Sequence, residues 1–592
     1  MKKQIIIALL LSCFLFNLNC FAADSKSISI TGTVKQPLNL SMEDLCRFKT
    51  VRIQLNEILK DKSYKGAWYY NGVPLRTLLE TAFIAKEESA YNKVIDLAVL
   101  IRNSEGKEVA LSWGEIFYKN SYDIIIATSA TPIRPHHDCS SCHKPEESEP
   151  LMKQFDREIG FPKLVVACDG VSDRSIENVI SIEVIDPAPR MPADKSVKLY
   201  AASFVVTGKV KNELTIKDLS AFTYRRSMKN VINVGEGKGF HGIDDYEGVL
   251  FNEIINKAGI EPNLSQIFHI SAPDGYRTTF SYGEVFLNRV EDNTIIADMK
   301  NGKKIEKEGK FIFVPSDDIM ADRDIKSVNR IEVIDLKRAP KLTYIGIGPG
   351  DTDLITIEAI TAMSRADAFI CSPDIQKRFA KYMGDKPVLF DIYDFSPPEV
   401  KKKNPGASQD DLKKIVEDRR VSMADSIKAE LSKGKHVAIL EYGDPTIWSG
   451  SEYISEHFDK DMFETIPGLS SFNVASSLLN RHTGCKGSMI LTTSRGILEN
   501  KPLFEAAAKN GETMSVFMAM KDLSAMVDFF NTIYKPDTPV HVAYRAGYSG
   551  SEKIVITDIK GLKNTIDTEK EKNLFLVFVG PCLEASAIAH RH

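Results

Sequence analysis

The chain repeats itself before residue 340, and this duplication limits what its first half can fold into more than any other feature. Ile30-Thr31-Gly32-Thr33-Val34-Lys35 is matched by Val206-Thr207-Gly208-Lys209-Val210-Lys211, and Leu40–Leu45 by Leu214–Leu219. Gly72-Val73 with Leu75 is matched by Gly248-Val249 with Phe251. Asp173-Arg174-Ser175-Ile176 leads into Ile182–Asp186, as Asp322-Arg323-Asp324-Ile325 leads into Ile331–Asp335. A unit of roughly 140–160 residues is a whole domain, not a solenoid repeat. Apolar β-branched runs (Ile28–Val34, Lys163–Val166, Ile180–Ile185) flank short helical patterns at Leu75–Glu80 and Phe251–Lys257. This predicts two α+β domains with sheet cores, 24–190 and 199–338. Pro187, Pro189 and Pro192 mark a linker between them, and Leu336–Lys341 a second linker.

The copies differ by an insertion. With Ala127 aligned to Ala297 and Val166 to Val314, the first copy holds about 22 additional residues. They include His136-His137-Asp138-Cys139-Ser140-Ser141-Cys142-His143. Cys-x-x-Cys-His is the attachment signature of c-type haem. Two thiols three positions apart can bond the two vinyl groups, His143 then faces the iron, and His136 or His137 could supply the second axial ligand. The same residues could instead hold zinc, since soft and borderline ligands suit a tetrahedral ion. A Cys139–Cys142 disulfide and a polar loop without a ligand are the remaining readings.

At the N-terminus, Lys2 and Lys3 precede a nearly unbroken apolar run, Ile5–Leu18, and small residues near Ala22-Ala23 offer a cleavage point. This is the layout of a signal peptide over 1–23, so an exported, periplasmic protein is expected. The run is shorter than the roughly 20 residues a membrane span needs. No later stretch reaches that length, and no membrane span is expected after signal removal. Seven cysteines lie beyond the segment, too scattered for a disulfide scaffold. A net charge of −4 gives no reason to expect nucleic acid as a partner.

The repeat resembles the molybdopterin-binding domain of the sulfite oxidase family in its Thr-Gly-x-Val opening, its Gly-Val helix start and its closing Ile-Glu-Val segment. That family holds molybdenum through a cysteine thiolate shortly before the Gly-Val word. Neither copy has a cysteine there, and Cys46 lies earlier, in a predicted helix. The resemblance therefore implies a retained scaffold without the molybdenum cofactor.

From Leu342 strands and helices alternate, which predicts an α/β domain over 341–587. Strands are expected at Leu342–Ile347, Ala368–Cys371, His436–Glu441, Met514–Met518, His541–Ala543 and Leu574–Val579. Helices are expected at Leu354–Ser364, Val421–Ser432, Glu452–His457 and Ser471–Leu479. Ligands of such sheets bind beyond the carboxyl ends of the strands. The ordered words "YIGIGPGDTDLITIEA", "HVAILEYGDPTIWSG", "IPGLSSFNVASSLLN", "TMSVFMAM" and "HVAYRAGYSGSEKIV" resemble the tetrapyrrole methylase family, the last being most like its precorrin-4 type. The resemblance implies two subdomains with a cleft, bound S-adenosylmethionine, a tetrapyrrole-like substrate and a homodimer. Carried over by motif, Pro349 lies at the cleft floor. Tyr442, Gly443 and Asp444 form the second loop, and Ile447 packs on the cofactor. Ser470 and Ser471 follow a Pro-Gly turn, Met518 contacts the adenine side, and Gly547 sits in the last loop. The uroporphyrinogen-type acidic residue is replaced by Ser372, which makes uroporphyrinogen a poor substrate. Because this cofactor is cytoplasmic, export favours an alternative: a periplasmic haem- or metal-binding, electron-transfer protein whose methylase domain only binds a tetrapyrrole or serves as scaffold.

Overall fold

The paired words of each copy are hydrogen-bonded neighbours. In the computed structural model, the opening strand Ser27–Gly32 runs parallel to the closing strand Val179–Ile185, with Thr31 opposite Glu183. Phe204–Gly208 runs parallel to Arg330–Asp335 in the second copy, with Thr207 opposite Glu332. Gly32 and Gly208 both have φ +91°, and a Cβ on either would sit 2.1 or 2.3 Å from the carbonyl oxygen of Val184 or Val333. Only glycine meets both demands, which explains why this word recurs. The structure describes residues 26–584 except 87–89, 120–122, 134–143, 145, 147–152, 290–292, 308, 338–339, 395, 481–482 and 485–487. Cys139, Cys142, His143, His136 and His137, like the segment 1–23, lie outside the described residues. The chain divides into two units, 1–338 and 339–592.

Each copy in the first unit has two sheets. One is five-stranded, in the order Leu38–Ser41, Ser27–Gly32, Val179–Ile185, Ala98–Asn103, Glu108–Ser112, and its counterpart repeats this order. The other is built on a long hairpin, Val51–Ile58 with Tyr64–Pro74 in the first copy and Arg225–Gly235 with Gly239–Leu250 in the second. Between the sheets, helix Leu75–Ala82 buries Leu75, Leu78, Leu79 and Ala82. Its twin Phe251–Ala258 buries Phe251, Ile254, Ile255 and Ala258. This spacing puts one apolar stripe on the core. The sheet also corrects the alignment of the insertion. Ile125 pairs with Val165, and the equivalent Ile295 pairs with Val314. Val165, not Val166, is therefore the counterpart of Val314, and the first copy holds 21 additional residues, since 38 positions separate Ala127 from Val165 and 17 separate Ala297 from Val314. A one-residue slip would turn each side chain to the wrong face.

The two copies meet across an approximate two-fold. Ala110 N–H donates to Leu264 carbonyl at 2.8 Å, and the equivalent Thr279 N–H donates to Ile95 carbonyl at 3.2 Å. Each copy also inserts an arginine beside the other's short helix. Arg174 binds Asp169 of its own copy (2.8 and 2.6 Å), Glu115 (2.8 Å) and, across the seam, Ser281 Oγ (3.0 Å). Arg323 binds its own Asp318 and Glu284 (2.6 and 2.7 Å) and reaches Ser112 Oγ across the seam at 3.3 Å. Gly114 and Gly283 face the opposite arginine, where a Cβ would come within 2.1 Å of the guanidinium. Both arginines are fully buried. Lys119 lies 3.3 Å from Glu284, and Asn288 is its counterpart in the second copy. Burial raises Glu115, with Arg174 opposing. Burial pushes Glu284 the same way, but Arg323 and Lys119 overcome it and hold its carboxyl down to about 2. The proline-rich stretch between copies is docked rather than free: Arg277 donates to the carbonyls of Ala188 (3.3 Å) and Met191 (2.9 Å).

His269, where the first copy has Leu100, is buried, and its Nε2 has no hydrogen-bond partner. Burial, and then Arg277, lower it from 6.5 to about 4. The unfolded chain thus binds the extra proton between those values and the folded chain does not. Stability contributed by neutral His269 is complete above pH 6.5 and lost as pH falls towards 4. His269→Leu is expected to flatten this part of the first unit's stability profile, read from urea midpoints at pH 7 and pH 5. An unchanged difference between the two midpoints would refute the assignment.

In the second unit, a four-stranded sheet is wholly parallel, in the order Ala368–Ile370, Val437–Glu441, Leu342–Gly346, Phe463–Ile466. A second, mixed sheet runs Met489–Thr493, Thr513–Phe517, Phe575–Val579, Pro539–Tyr544, Lys553–Asp558. The parts built on these two sheets are the first and second subdomains. Helix Gln409–Ser432 begins at a capping box of Ser408 and Asp411, three turns before the expected start. No helix among the described residues is long and apolar enough to cross a membrane.

Candidate active site

Three of the parallel strands deliver glycine-bearing loops to one rim. Gly348 and Gly443, after the first and third strands, exchange backbone hydrogen bonds of 3.4 and 2.9 Å. Gly468, after the fourth strand, packs against both: its Cβ would lie 2.3 Å from the Gly443 carbonyl oxygen and 2.8 Å from Gly346. Side chains are thereby excluded, leaving bare backbone and the helix Ser471–Leu478 at the rim. Ser470 caps that helix in a box with Asn473, and Ser471 is its first residue. Pro349 is half-buried in the first loop.

The second subdomain closes on the same loops. Asp351 N–H donates to the Gly547 carbonyl at 2.6 Å. The Asp351 carboxylate accepts from Ser549 N–H (2.9 Å) and Oγ (2.6 Å), and these bonds lower its pKa. Trp448 packs on Phe517 with ring centroids 4.5 Å apart. Met518, expected to end its strand, instead follows it with φ +49°, and its carbonyl accepts from Ser494 Oγ at 3.1 Å. Ile447, Trp448, Leu469 and Met518 are all left exposed. So many exposed apolar side chains on and beside these loops mark a binding surface.

The second loop is fixed from below and from the side. Glu441, 3% exposed, accepts from Ser449 Oγ at 2.9 Å and from Ser451 Oγ. Asp444 makes a tight turn by accepting from Thr446 N–H (2.9 Å) and Oγ1 (2.7 Å). Tyr442 donates to Asp374 at 2.7 Å. Burial and then this bond push the phenol up to about 12, so it stays protonated. Ser372 caps helix Pro373–Met383 through Ile375 N–H.

Residues 341–563 match the family of Tetrapyrrole (Corrin/Porphyrin) Methylases. The C-terminal unit carries a tetrapyrrole methylase domain. A precorrin-4 C(11)-methyltransferase of Sinorhizobium sp is 27% identical over 41% of this chain and 90% of its own length. The cobalt-precorrin-4 C(11)-methyltransferase of Methanocaldococcus jannaschii is 28% identical over 42% of this chain and 91% of its own length. A uroporphyrinogen-III C-methyltransferase of Bacillus subtilis is 22% identical over 40% of this chain and 90% of its own length.

The methylase domain thus gathers Pro349, Tyr442, Gly443, Asp444, Ser470, Ser471 and Gly547 around loops that touch one another, with Ile447 and Met518 exposed beside the Trp448–Phe517 contact. The sequence reading missed Asp351, Arg378, Glu441 and Trp448. Asp351, Glu441 and Trp448 lie inside the quoted words, beside the residues chosen from them, and an acid ending a buried strand was an available signal for Glu441. Arg378 lies mid-helix, where no word marks it. Cys582 of this domain is disulfide-bonded, which the scattered spacing of the cysteines did not mark.

Proposed function

We propose that this protein is an exported S-adenosylmethionine-dependent methyltransferase acting on a precorrin-like tetrapyrrole. The observation that carries the reading is the meeting of five separate sequence words at one glycine-lined, apolar-rimmed cleft. The cofactor fits the residues present. Gly346 and Gly468 pack the loops together, bare backbone at Gly443 admits close approach, Ile447 and Met518 offer apolar contact, and Asp444 favours a cation. Pro349, Ser470, Ser471 and Gly547 complete the cradle. Bound S-adenosylmethionine supplies a methyl group already activated by its sulfonium. The protein's own task is then alignment and exclusion of water, which can supply much of the acceleration. Glu441 and Asp351 serve this task by fixing the second and last loops. Ser372, committed to a helix cap, offers no carboxylate to accept a proton, which favours a precorrin-type over a uroporphyrinogen-type substrate. The higher identity to the precorrin-4 relatives agrees.

Export is supported by the N-terminal segment and by the Cys582 disulfide, since disulfides persist in oxidising compartments. The sulfite-oxidase-like copies act as scaffold in this reading, and the methylase domain forms the homodimer contact. The Cys139–His143 word supports a second role in holding c-type haem or zinc. A Soret band surviving acid-acetone extraction of periplasmic protein would establish covalent haem, and its absence would remove that option.

Calorimetry with S-adenosylhomocysteine tests the main reading. The wild type is expected to bind, and Asp444→Ala to weaken binding about five- to tenfold, the size of one lost charge interaction. Absence of heat from the wild type would overturn the proposal.

A further inference from the structure

Arg378 lies on helix Pro373–Met383, away from every glycine loop in sequence, yet it touches all three sides of the cleft. One terminal nitrogen donates to the Gly350 carbonyl, in the first loop. The other lies 3.4 Å from the Tyr548 hydroxyl, in the last loop, and 3.5 Å from Asp374. The guanidinium also stands 5.8 Å from the Tyr442 ring centroid, in the second loop, and 5.2 Å from that of Tyr548. Asp374, which shares the cation, is the acceptor of the Tyr442 hydroxyl. One planar fork therefore joins a carbonyl from the first subdomain, an aromatic from the second loop, and an aromatic from the second subdomain. Only arginine offers several donors in fixed directions together with two stacking faces; lysine is a single point charge on a flexible stem.

We propose that Arg378 is the positioning residue of the cleft: it holds the first, second and last loops in the one arrangement that accepts the cofactor. The assignment rests on the methylase reading of that cleft, but its signature can be read without any ligand. Trp448, in the second loop, is 38% exposed, while Trp68 and Trp113 are 3% and 6% exposed. Acrylamide quenching of the full chain therefore reports chiefly on that loop.

Arg378→Gln is expected to raise Trp448 quenching and to raise the Kd for S-adenosylhomocysteine about tenfold, with Arg378→Lys recovering part of both. Unchanged quenching and a Kd within about twofold of wild type would overturn the proposal, the threshold being set by the worth of one such bond. Full recovery by Arg378→Lys would also overturn it, since charge alone would then suffice. If Arg378→Gln does not fold, Tyr548→Phe should move both readouts in the same direction by less, and no movement in either would count against the role. A wild type that does not bind S-adenosylhomocysteine would defeat the methylase reading, while the quenching comparison still decides whether Arg378 orders the loop.

Discussion

Arg323→Met is expected to lower the stability of the first unit by about 3–5 kcal/mol, the cost of removing one partner from a buried ion pair. The guanidinium is fully buried and serves Asp318, Glu284 and, across the seam, Ser112. Methionine fills similar volume but leaves Glu284 with only Lys119 as a cation and Asp318 with a weaker one. Burial already raises Asp318 to about 6 even with Arg323 opposing it. The variant should therefore take up protons near neutral pH and lose less stability at pH 5 than at pH 8. Urea unfolding followed at Trp68 and Trp113 measures the loss. Arg225→Met is the comparison, because Arg225 and its partner Asp298 are partly exposed (41% and 28%) and such pairs are worth about 1 kcal/mol or less. Equal midpoint shifts in the two variants would show that the seam carries no special energy.

Gly350→Ala should abolish cofactor binding, with a Kd for S-adenosylhomocysteine raised a hundredfold or more, on the order of 3 kcal/mol. A Cβ there would lie 2.0 Å from the Gly547 carbonyl oxygen and 2.2 Å from its carbon. Both are backbone, so no side chain can swing aside. Relief requires separating the first loop from the last, which breaks the 2.6 Å bond from Asp351 N–H and draws Ser549 off the Asp351 carboxylate. Gly550→Ala in the same loop meets nothing within 4 Å and should bind as wild type does. Calorimetry on both variants, with circular dichroism to confirm folding, makes the test. Comparable affinities would mean that the contact of the two loops is unnecessary.

Both copies and the methylase domain were legible because their words have backbone causes. Gly32 and Gly208 recur because a carbonyl fills the space a side chain would need. The long hairpins were not legible. Arg225–Gly235 reads "RRSMKNVINVG", polar for most of its length, because its far half leaves Ile232 and its cross-strand partner Ile243 exposed. No clean alternation survives in such a ribbon. Helix Gln409–Ser432 was half seen because its first turns are mostly charged and bury only Val416 before Met423. In the site, the glycine loops announced themselves, while Arg378 could not. Its importance arises from three loops that are remote in sequence, and nothing local distinguishes it from a solvated helical arginine.

The exchanged arginines carry a consequence for how the first half can change. A seam made from like surfaces on two separate chains holds only while concentration keeps the chains together. Here both surfaces lie on one polypeptide, joined through the docked stretch around Ala188 and Met191, so dilution cannot part them. The twins are also released from identity. One can accept Lys119 where the other keeps Asn288, and one can carry an insertion that its twin lacks. A symmetric pair of separate chains would have had to bear every such change twice.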